Sequence, residues 1–158
     1  MTIDQDTFRS VLGRFASGVT VLTTRDKDDR DHGMTVSAFC SLSLSPPLVL
    51  ACIDHGTDMH AVLPKTKHFG ISILEETQES LSRRFAELPY NRFDGIGYTR
   101  GESGVVLLDD ALAHLECRQI ARHEAGDHTV YVGEVERATT GTGRPLLYYR
   151  GGYAQLER

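Results

Sequence analysis

Short runs of β-branched and apolar residues recur along the whole chain, and several of them are joined by loops of hairpin length. Runs of this kind are typical of β-strands. Six or seven strands are predicted, at residues 19–24, 33–40, 47–54, 68–74, 111–120, 128–138 and 145–156. Because helices do not alternate regularly with these strands, the pattern predicts a mainly β, mostly antiparallel barrel rather than a doubly wound sheet.

Three segments have a helical pattern instead, and they lie at residues 4–18, 59–65 and 75–87. The first has apolar residues at i, i+3, i+4 and i+7, can be capped by Asp4 or Asp6, and ends at Gly18. The charged residues 25–33 are expected to form a hairpin loop, and residues 88–105 a glycine-containing loop. All these elements fit a single domain over residues 1–158.

Charge and composition exclude several classes of protein. The net charge is −5 and the basic residues are scattered, which is not the footprint of a nucleic-acid-binding protein. No apolar run approaches the length of a membrane span, and the first residues, MTIDQDTF, do not resemble a signal peptide. Three cysteines without a CxxC pair are expected to be reduced thiols. We therefore expect a cytoplasmic protein without a nucleic-acid or membrane partner.

Common nucleotide and metal motifs are not found in the chain. It has no GxxxxGK[ST] sequence, and GIGYTRG at residues 95–101 lacks the spacing and the preceding strand of a dinucleotide turn. A nicotinamide would therefore not be held in a Rossmann fold. The seven histidines do not match the HExxH spacing, so no metal site is expected. Cys40 has no recognisable base beside it, and a small structural cysteine is the commoner case.

The stretch from Gly33 to Asp54 combines small polar residues with two prolines and an apolar run. The small polar residues are Thr35, Ser37, Cys40, Ser41, Ser43 and Ser45. They could form only the solvent-facing side of a strand. However, they continue to Pro46 and Pro47, where regular pairing ends and the backbone is extended. Small side chains there would allow a planar ligand to approach the main chain, and the polar edge of a flavin ring suits such donors and acceptors.

Five blocks of the sequence, in this order, resemble the flavin reductase family, the small reductase components of two-component flavin-dependent monooxygenases. The blocks are FRSVLGRFASGVTVLTT, GMTVSAFCSLSLSPPLVLACID, FGISILEETQESLSRRFA, GDHTVYVGEV and PLLYYRGGY. The resemblance implies a split β-barrel of Greek-key, antiparallel type, usually a homodimer, that binds FMN or FAD. It further implies that NADH or NADPH reduces the flavin, which then leaves for a separate partner monooxygenase.

The resemblance also implies roles for individual residues. The residues implied to line the isoalloxazine ring are Thr35, Val36, Ser37, Cys40 and Ser41. Those implied to follow the ribityl chain are Cys52, Ile53 and Asp54. Those implied to contact the flavin phosphate are Thr57, Ser82, Arg83, Arg84 and Phe85. For the arginine pair, a solvated last helical turn is the alternative interpretation, although guanidinium groups suit phosphate oxygens.

A second set of residues is implied to lie near the nicotinamide. His128 follows a Gly–Asp turn at the first position of a predicted strand, and it could bind the carboxamide or supply a proton. Without the resemblance, a structural or exposed histidine is the more common case. The other residues of this set are Arg150, Gly151, Gly152 and Tyr153.

The sequence therefore predicts an NAD(P)H:flavin oxidoreductase that transfers hydride from nicotinamide C4 to flavin N5. Because the cofactors carry this chemistry, no single side chain is expected to be indispensable, and Arg84→Ala should mainly raise the KM for flavin. Two alternatives remain open at this point: a flavoprotein that keeps its flavin and reduces another substrate, and a non-catalytic flavin-binding module.

Overall fold

The computed structural model describes residues 2–157. The helices are α1 (Gln5–Leu12), α2 (Asp58–Val62, continued by a 3₁₀ turn at Leu63–Lys65) and α3 (Glu79–Glu87). The strands are β1 (Ser17–Gly18), β2 (Thr20–Arg25), β3 (Asp31–Val36), β4 (Phe39–Ser43), β5 (Leu48–Asp54), β6 (His68–Ile73), β7 (Tyr98–Arg100), β8 (Val106–Leu108), β9 (Ala113–Ala125), β10 (His128–Thr140), β11 (Leu147–Tyr149) and β12 (Gly152–Ala154).

Seven of the strands form one antiparallel sheet in the order β3-β2-β6-β9-β10-β5-β4. Three pairs of sequence neighbours, β2–β3, β4–β5 and β9–β10, are paired as antiparallel hairpins, and β6 lies between β2 and β9. A small sheet joins β1, β11 and β12, and β7 pairs with β8. The predicted mainly β, antiparallel fold class is confirmed.

Two clusters of buried side chains fill the interior. The larger one contains Phe69 and Tyr131, both completely buried. The Phe69 ring lies over Gly133, where a Cβ atom would approach the ring to 2.5 Å. The second cluster surrounds Phe85 of α3, whose ring would be 2.7 Å from a Cβ atom at Gly33. Glycine on β3 and β10 therefore gives these two aromatic rings their space.

Two predicted strands are each divided in the structure. Residues 33–40 end β3 and begin β4, with a tight turn in which the Phe39 N–H donates to the Ser37 carbonyl (2.9 Å). Residues 145–156 form the β11–β12 hairpin, whose turn residues Arg150 and Gly151 have positive φ angles of 53° and 77°. Continuous apolar and aromatic runs do not reveal such turns.

Other boundaries also differ from the sequence predictions. The segment 88–105, predicted as loop, contains β7, and its partner β8 was not predicted, because three-residue strands carry too little periodicity to be recognised. Helix α3 begins at Glu79 rather than at residue 75. The Gln78 side chain accepts from the Glu75 N–H and donates to the Asp109 carbonyl, both at 2.9 Å, and so holds the preceding residues in a turn.

The first helix is present but ends at Leu12 rather than at the predicted Gly18, which lies in β1, and its apolar side faces outward. Asp4 caps α1 by accepting from the Thr7 N–H (2.8 Å), and the helix ends at Leu12, before Gly13. The exposed apolar side chains in and directly after this helix are Phe8, Val11, Leu12 and Phe15. The last of them is 81% exposed, so α1 does not cover the interior of its own chain. None of the helices within residues 2–157 combines the length and the apolar character needed to cross a membrane.

Candidate active site

A recess of about 190 Å³ lies between the end of β3, helix α3 and the β11–β12 hairpin. Its lining residues are Val19, Thr35, Ser37, Ser82, Ala86, Tyr148 and Tyr153. Five of these seven side chains carry a hydroxyl group, and we therefore name this site the hydroxyl recess. Four residues that the family resemblance implied as cofactor-binding, from three separate segments of the chain, come together here: Thr35, Ser37, Ser82 and Tyr153.

Hydrogen bonds fix most of this wall before any ligand binds. The Thr35 hydroxyl donates to the Ser82 carbonyl (2.6 Å), and the Ser82 hydroxyl bonds the Tyr153 hydroxyl (2.7 Å). The Arg83 guanidinium lies 4.8 Å above the centre of the Tyr153 ring. The Ser37 hydroxyl makes no side-chain hydrogen bond within residues 2–157 and lies in the recess. Ser37 is therefore, like Tyr148, a hydroxyl of this wall with a free donor and acceptor for a ligand.

An apolar recess of about 480 Å³ adjoins the hydroxyl recess, and the two share Ser37 and Tyr148. Its other lining residues are Phe8, Arg9, Leu12, Gly13, Phe15, Ser17, Ala38, Arg150 and Gly151. The exposed apolar side chains of α1 thus form one wall of a groove whose other end is polar. A planar heterocycle with one polar edge and two apolar faces suits such a groove.

The end of β5 lies beside the same turn. The Cys52 N–H donates to the Ala38 carbonyl (2.9 Å), which places Cys52 next to the shared wall of the two recesses. Asp54 ends β5, and its carboxylate accepts from the Gly56 N–H (2.6 Å). Thr57 donates from its hydroxyl to the Asp54 carbonyl (2.8 Å) and caps α2. The side chains of Asp54 and Thr57 line neither recess.

His128 begins β10, as the sequence predicts, and it pairs with Asp54 of β5. Its Nδ1 atom is 2.7 Å from the Asp127 carboxylate, and this hydrogen bond lowers the pKa of Asp127. The carboxylate thereby favours a proton on Nδ1 and leaves Nε2 as the ring's other hydrogen-bonding atom. His128 lines neither recess, but its partner Asp54 is only two residues from Cys52, which adjoins their shared wall.

Three apolar residues of the implied site have side chains that face the interior. Ile53 and Phe85 are completely buried and Val36 is 3% exposed. Phe85 packs against the Phe93 ring at 5.1 Å between centroids. The Phe85 side chain therefore belongs to the core beneath Ser82, so its implied phosphate contact could come only from main-chain atoms. For Val36 and Ile53 only main-chain atoms are available to a ligand.

The two arginines of α3 also have partners within the protein. Arg83 pairs with Glu79 (2.7 Å) and Glu87 (3.7 Å), and the bond to Glu79 raises the pKa of the guanidinium. Arg84 donates to main-chain carbonyls of the segment after α3, including that of Arg92 at 2.6 Å. Arg84 thus holds residues 91–94 against α3. The sequence had suggested a phosphate contact for this residue.

The three cysteines lie in different environments. Cys40, like Ser41, is exposed on the edge strand β4, outside both recesses. Cys52 is half-buried, and burial, together with the nearby Cys40, raises the pKa of its thiol. Burial raises the pKa of Cys117 to about 12, with smaller contributions from Glu136 and Glu116. The rates at which the three thiols react should therefore differ according to their burial.

A thiol-labelling time course with an aromatic disulfide at pH 8 is expected to resolve these environments. We expect Cys40 to react first and Cys52 more slowly, since burial both raises the pKa of the Cys52 thiol and limits access to it. Cys117 should react only after unfolding. Cys40→Ser should remove the fast phase alone. A fast phase that persists in this variant would contradict the exposed position of Cys40 on β4.

Tyr148 is a site residue whose position sequence reasoning did not identify. It is shared by both recesses, and its ring packs against that of Tyr153 at 5.5 Å between centroids. The signal was the YYRGGY block, but an extended strand through this block would not bring Tyr148 opposite Tyr153, as the hairpin does. Gly152 pairs with Tyr149 in the same hairpin and lines neither recess.

Comparison with known proteins agrees with this geometry. An NADH-dependent flavin reductase of Rhodococcus sp is 46% identical over 151 residues, covering 94% of this chain and 85% of that protein. The reductase component of a 4-nitrophenol 4-monooxygenase/4-nitrocatechol 2-monooxygenase of Rhodococcus opacus is 42% identical, covering 98% of this chain and 82% of that protein.

Solved structures give the same result. The NADH:FAD oxidoreductase of Streptomyces globisporus C-1027, in complex with NAD and FAD fragments, superposes with a TM-score of 0.93 at 39% identity and covers 98% of this chain and 93% of that chain. This likeness confirms the predicted split-barrel class. Residues 12–157 match the flavin reductase like domain. The chain therefore belongs to the flavin reductase family.

Proposed function

We propose that this protein is an NADH-dependent flavin reductase that supplies reduced flavin to a separate monooxygenase. The observation that carries the proposal is the groove in which the hydroxyl recess and the apolar recess meet at Ser37 and Tyr148. Membership of the flavin reductase family supports it. The Rhodococcus sp relative is an NADH-dependent flavin reductase, which supports NADH as the hydride donor. The R. opacus relative is the reductase component of a monooxygenase, which supports a separate monooxygenase as the partner.

The residues of the groove fit a flavin ring. The free hydroxyl of Ser37 and the small side chains around it offer hydrogen-bonding groups to the polar edge of the ring. Tyr148 and the α1 side chains Phe8 and Leu12 offer apolar surface to its faces. A flavin bound there would accept the hydride of NADH. The protein's part is to align the two rings and to place donors where negative charge develops on reduction.

His128 is proposed to act on the nicotinamide or on a proton of the reaction. Asp127 orients its ring through Nδ1, so Nε2 could bind the carboxamide or hold a proton. The pairing of His128 with Asp54, and the bond from Cys52 to Ala38, connect this histidine to the groove along β5. In this arrangement NADH would extend from the groove along the end of β5.

The protein is further proposed to be a cytoplasmic homodimer. Cysteines without disulfide bonds fit a reducing compartment. Edge strand β4 and the loop after it expose Leu42 and Leu44, the latter to 94%. Phe8 of α1 and Phe15, which follows α1, are exposed close by, beside Ala38. An apolar surface of this kind favours a second copy of the chain as its partner, because isologous dimers are the most common assemblies.

Leu44→Asp is expected to shift the protein toward monomers, because a carboxylate would be buried in the proposed interface. Sedimentation velocity over a concentration series should show a dimer for the unaltered protein and a dissociation constant raised at least about tenfold in the variant. Ile120→Asp is the matched control, because the Ile120 side chain on β9 is 42% exposed and lies outside the proposed interface. This variant should leave the dimer intact. If the unaltered protein is monomeric at every concentration tested, this result would contradict the proposed dimer.

The experiment that tests the function compares NADH and NADPH oxidation with FMN, FAD and riboflavin side by side. We expect a colourless purified protein that oxidises NADH only when free flavin is added. A yellow protein whose flavin survives gel filtration, and which turns over NADH only with another acceptor, would instead indicate a flavoprotein that keeps its flavin. Flavin binding without NADH oxidation would indicate a non-catalytic module.

A further inference from the structure

A third cavity, of about 340 Å³, is lined largely by arginine. Its lining residues are Arg9, Ser10, Gly13, Arg14, Arg150 and Gly151. We name it the arginine cleft. Its three guanidinium groups come from the last turn of α1, the residue after Gly13, and the β11–β12 turn. Although the protein has a net charge of −5, these three cations should make the electrostatic potential of this cavity positive.

The three arginines of the cleft have few acidic partners. Within residues 2–157, neither Arg14 nor Arg150 forms an ion pair, and Arg9 has a single, solvent-exposed one with Asp6 at 3.5 Å. By contrast, Arg100 is paired with a carboxylate at 2.9 Å, and Arg118 with two. The positive charge of the cleft is therefore available to an external anion.

The backbone around the cleft is closely fitted. The Arg150 N–H donates to the Gly13 carbonyl (2.9 Å), which docks the β11–β12 turn on the end of α1. A Cβ atom at Gly13 would lie 3.0 Å from the Arg9 carbonyl and 3.5 Å from the Arg150 Cα atom. Arg150 itself has a φ angle of 53°, a left-handed conformation that is unfavourable for a long side chain. The docked turn holds Arg150 in this conformation, at the cleft.

The cleft continues the groove of the proposed active site. It shares four residues with the apolar recess: Arg9, Gly13, Arg150 and Gly151. The apolar recess in turn meets the hydroxyl recess at Ser37 and Tyr148. One groove thus runs from hydroxyl groups through apolar surface to guanidinium groups, which suit the polar ring edge, the ring faces and the phosphate of a nucleotide.

We propose that the arginine cleft binds the phosphate or pyrophosphate group of a nucleotide substrate whose ring lies in the groove. The proposal rests on the proposed flavin reductase function. It moves the phosphate contact from Arg83 and Arg84, whose donors are used within the protein, to Arg9, Arg14 and Arg150. Guanidinium groups bind phosphate oxygens through paired hydrogen bonds, so three of them suit a dianionic group.

The test measures how much the phosphate contributes to binding in the unaltered protein, Arg14→Gln, Arg150→Asn and the control Lys27→Gln. Asparagine tolerates the left-handed conformation of residue 150, and Lys27 is an exposed residue of the β2–β3 turn whose loss changes the net charge equally. Dissociation constants for riboflavin and FMN are measured by fluorescence titration, and inhibition by ADP-ribose is measured in the NADH oxidation assay. Sedimentation velocity checks that each variant keeps the oligomeric state of the unaltered protein.

We expect the arginine variants to weaken the binding of either FMN or ADP-ribose. If the cleft binds the flavin phosphate, each arginine variant weakens FMN roughly tenfold and leaves riboflavin unchanged, as for loss of one charge-assisted hydrogen bond. If it binds the nicotinamide nucleotide, the variants weaken ADP-ribose by a similar factor. Either effect should decrease with rising salt. Lys27→Gln should change neither.

Unchanged FMN-to-riboflavin ratios together with unchanged ADP-ribose inhibition in both arginine variants would overturn the arginine cleft as a phosphate site. This result would leave the reductase function intact, because riboflavin and NADH would still be used. If the unaltered protein bound no flavin and oxidised no NADH, the proposed function itself would fail.

Discussion

Ser37→Trp is expected to weaken flavin binding at least about a hundredfold, which corresponds to about 2.7 kcal/mol. The Ser37 side chain lies in the wall shared by the hydroxyl and apolar recesses. An indole at this position would occupy the space that the flavin ring needs. Because Ser37 is exposed, the free energy of unfolding should change by no more than about 0.5 kcal/mol. Flavin titration and urea denaturation measure the two quantities separately.

Ser37→Ala is the matched control at the same position. It removes the hydroxyl without adding bulk, so we expect a loss of flavin affinity of only about two- to tenfold, as for one hydrogen bond. The comparison separates occupation of the recess from loss of its polar group. If the tryptophan variant bound flavin as tightly as the unaltered protein, the ring could not lie in the hydroxyl recess.

Phe85→Ala is expected to lower the free energy of unfolding by about 3–5 kcal/mol, as is usual for removing a completely buried aromatic side chain. Phe85 lies at the centre of the second buried cluster, against Phe93 and under Gly33. Urea denaturation followed by circular dichroism measures the loss. Tyr90→Ala removes an aromatic ring that is 73% exposed, and it should cost no more than about 0.5 kcal/mol.

The two possible roles of Phe85 give opposite results. A core residue loses stability when truncated, and in the variant that remains folded at low temperature the flavin affinity should be close to normal. A residue that contacts phosphate through its side chain would lose flavin affinity while the unfolding midpoint stayed unchanged. The second result would contradict the position of Phe85 beneath Ser82.

Much of the fold was predictable because strand periodicity and hairpin loops are local features. Strands β2, β5, β6, β9 and β10 lie where the β-branched and alternating runs predicted them. His128 was placed correctly at the start of its strand, since the Gly–Asp turn before it is also local. Short strands and turns inside continuous apolar runs, such as β7 and the Arg150–Gly151 turn, carry no such signal.

The site was predictable only in part, because a helical pattern does not say which structure each side chain faces. Ser82 and Phe85 are three residues apart and share one face of α3. The structure puts the Ser82 hydroxyl in the lining of the recess, bonded to Tyr153, and the Phe85 ring in the core below it. Likewise, the Arg83–Arg84 pair suggested phosphate binding, but the acceptors of Arg84 are carbonyls of a loop whose course the sequence does not predict.

The arginine cleft could not be predicted from the sequence at all. Arg9 and Arg150 lie near opposite ends of the chain, and only the hydrogen bond between the β11–β12 turn and Gly13 brings them together. Each residue alone reads as an ordinary exposed cation. Long-range docking of this kind depends on tertiary packing rather than on any local pattern.

The central claim is that the flavin ring lies in the groove at Ser37, and a crystal structure of the protein with FMN tests it most directly. We expect the isoalloxazine in the hydroxyl recess, with its polar edge within hydrogen-bond distance of Ser37 and one face against Tyr148. Electron density for the ring at another surface, with the hydroxyl recess filled by the protein's own side chains, would contradict the account.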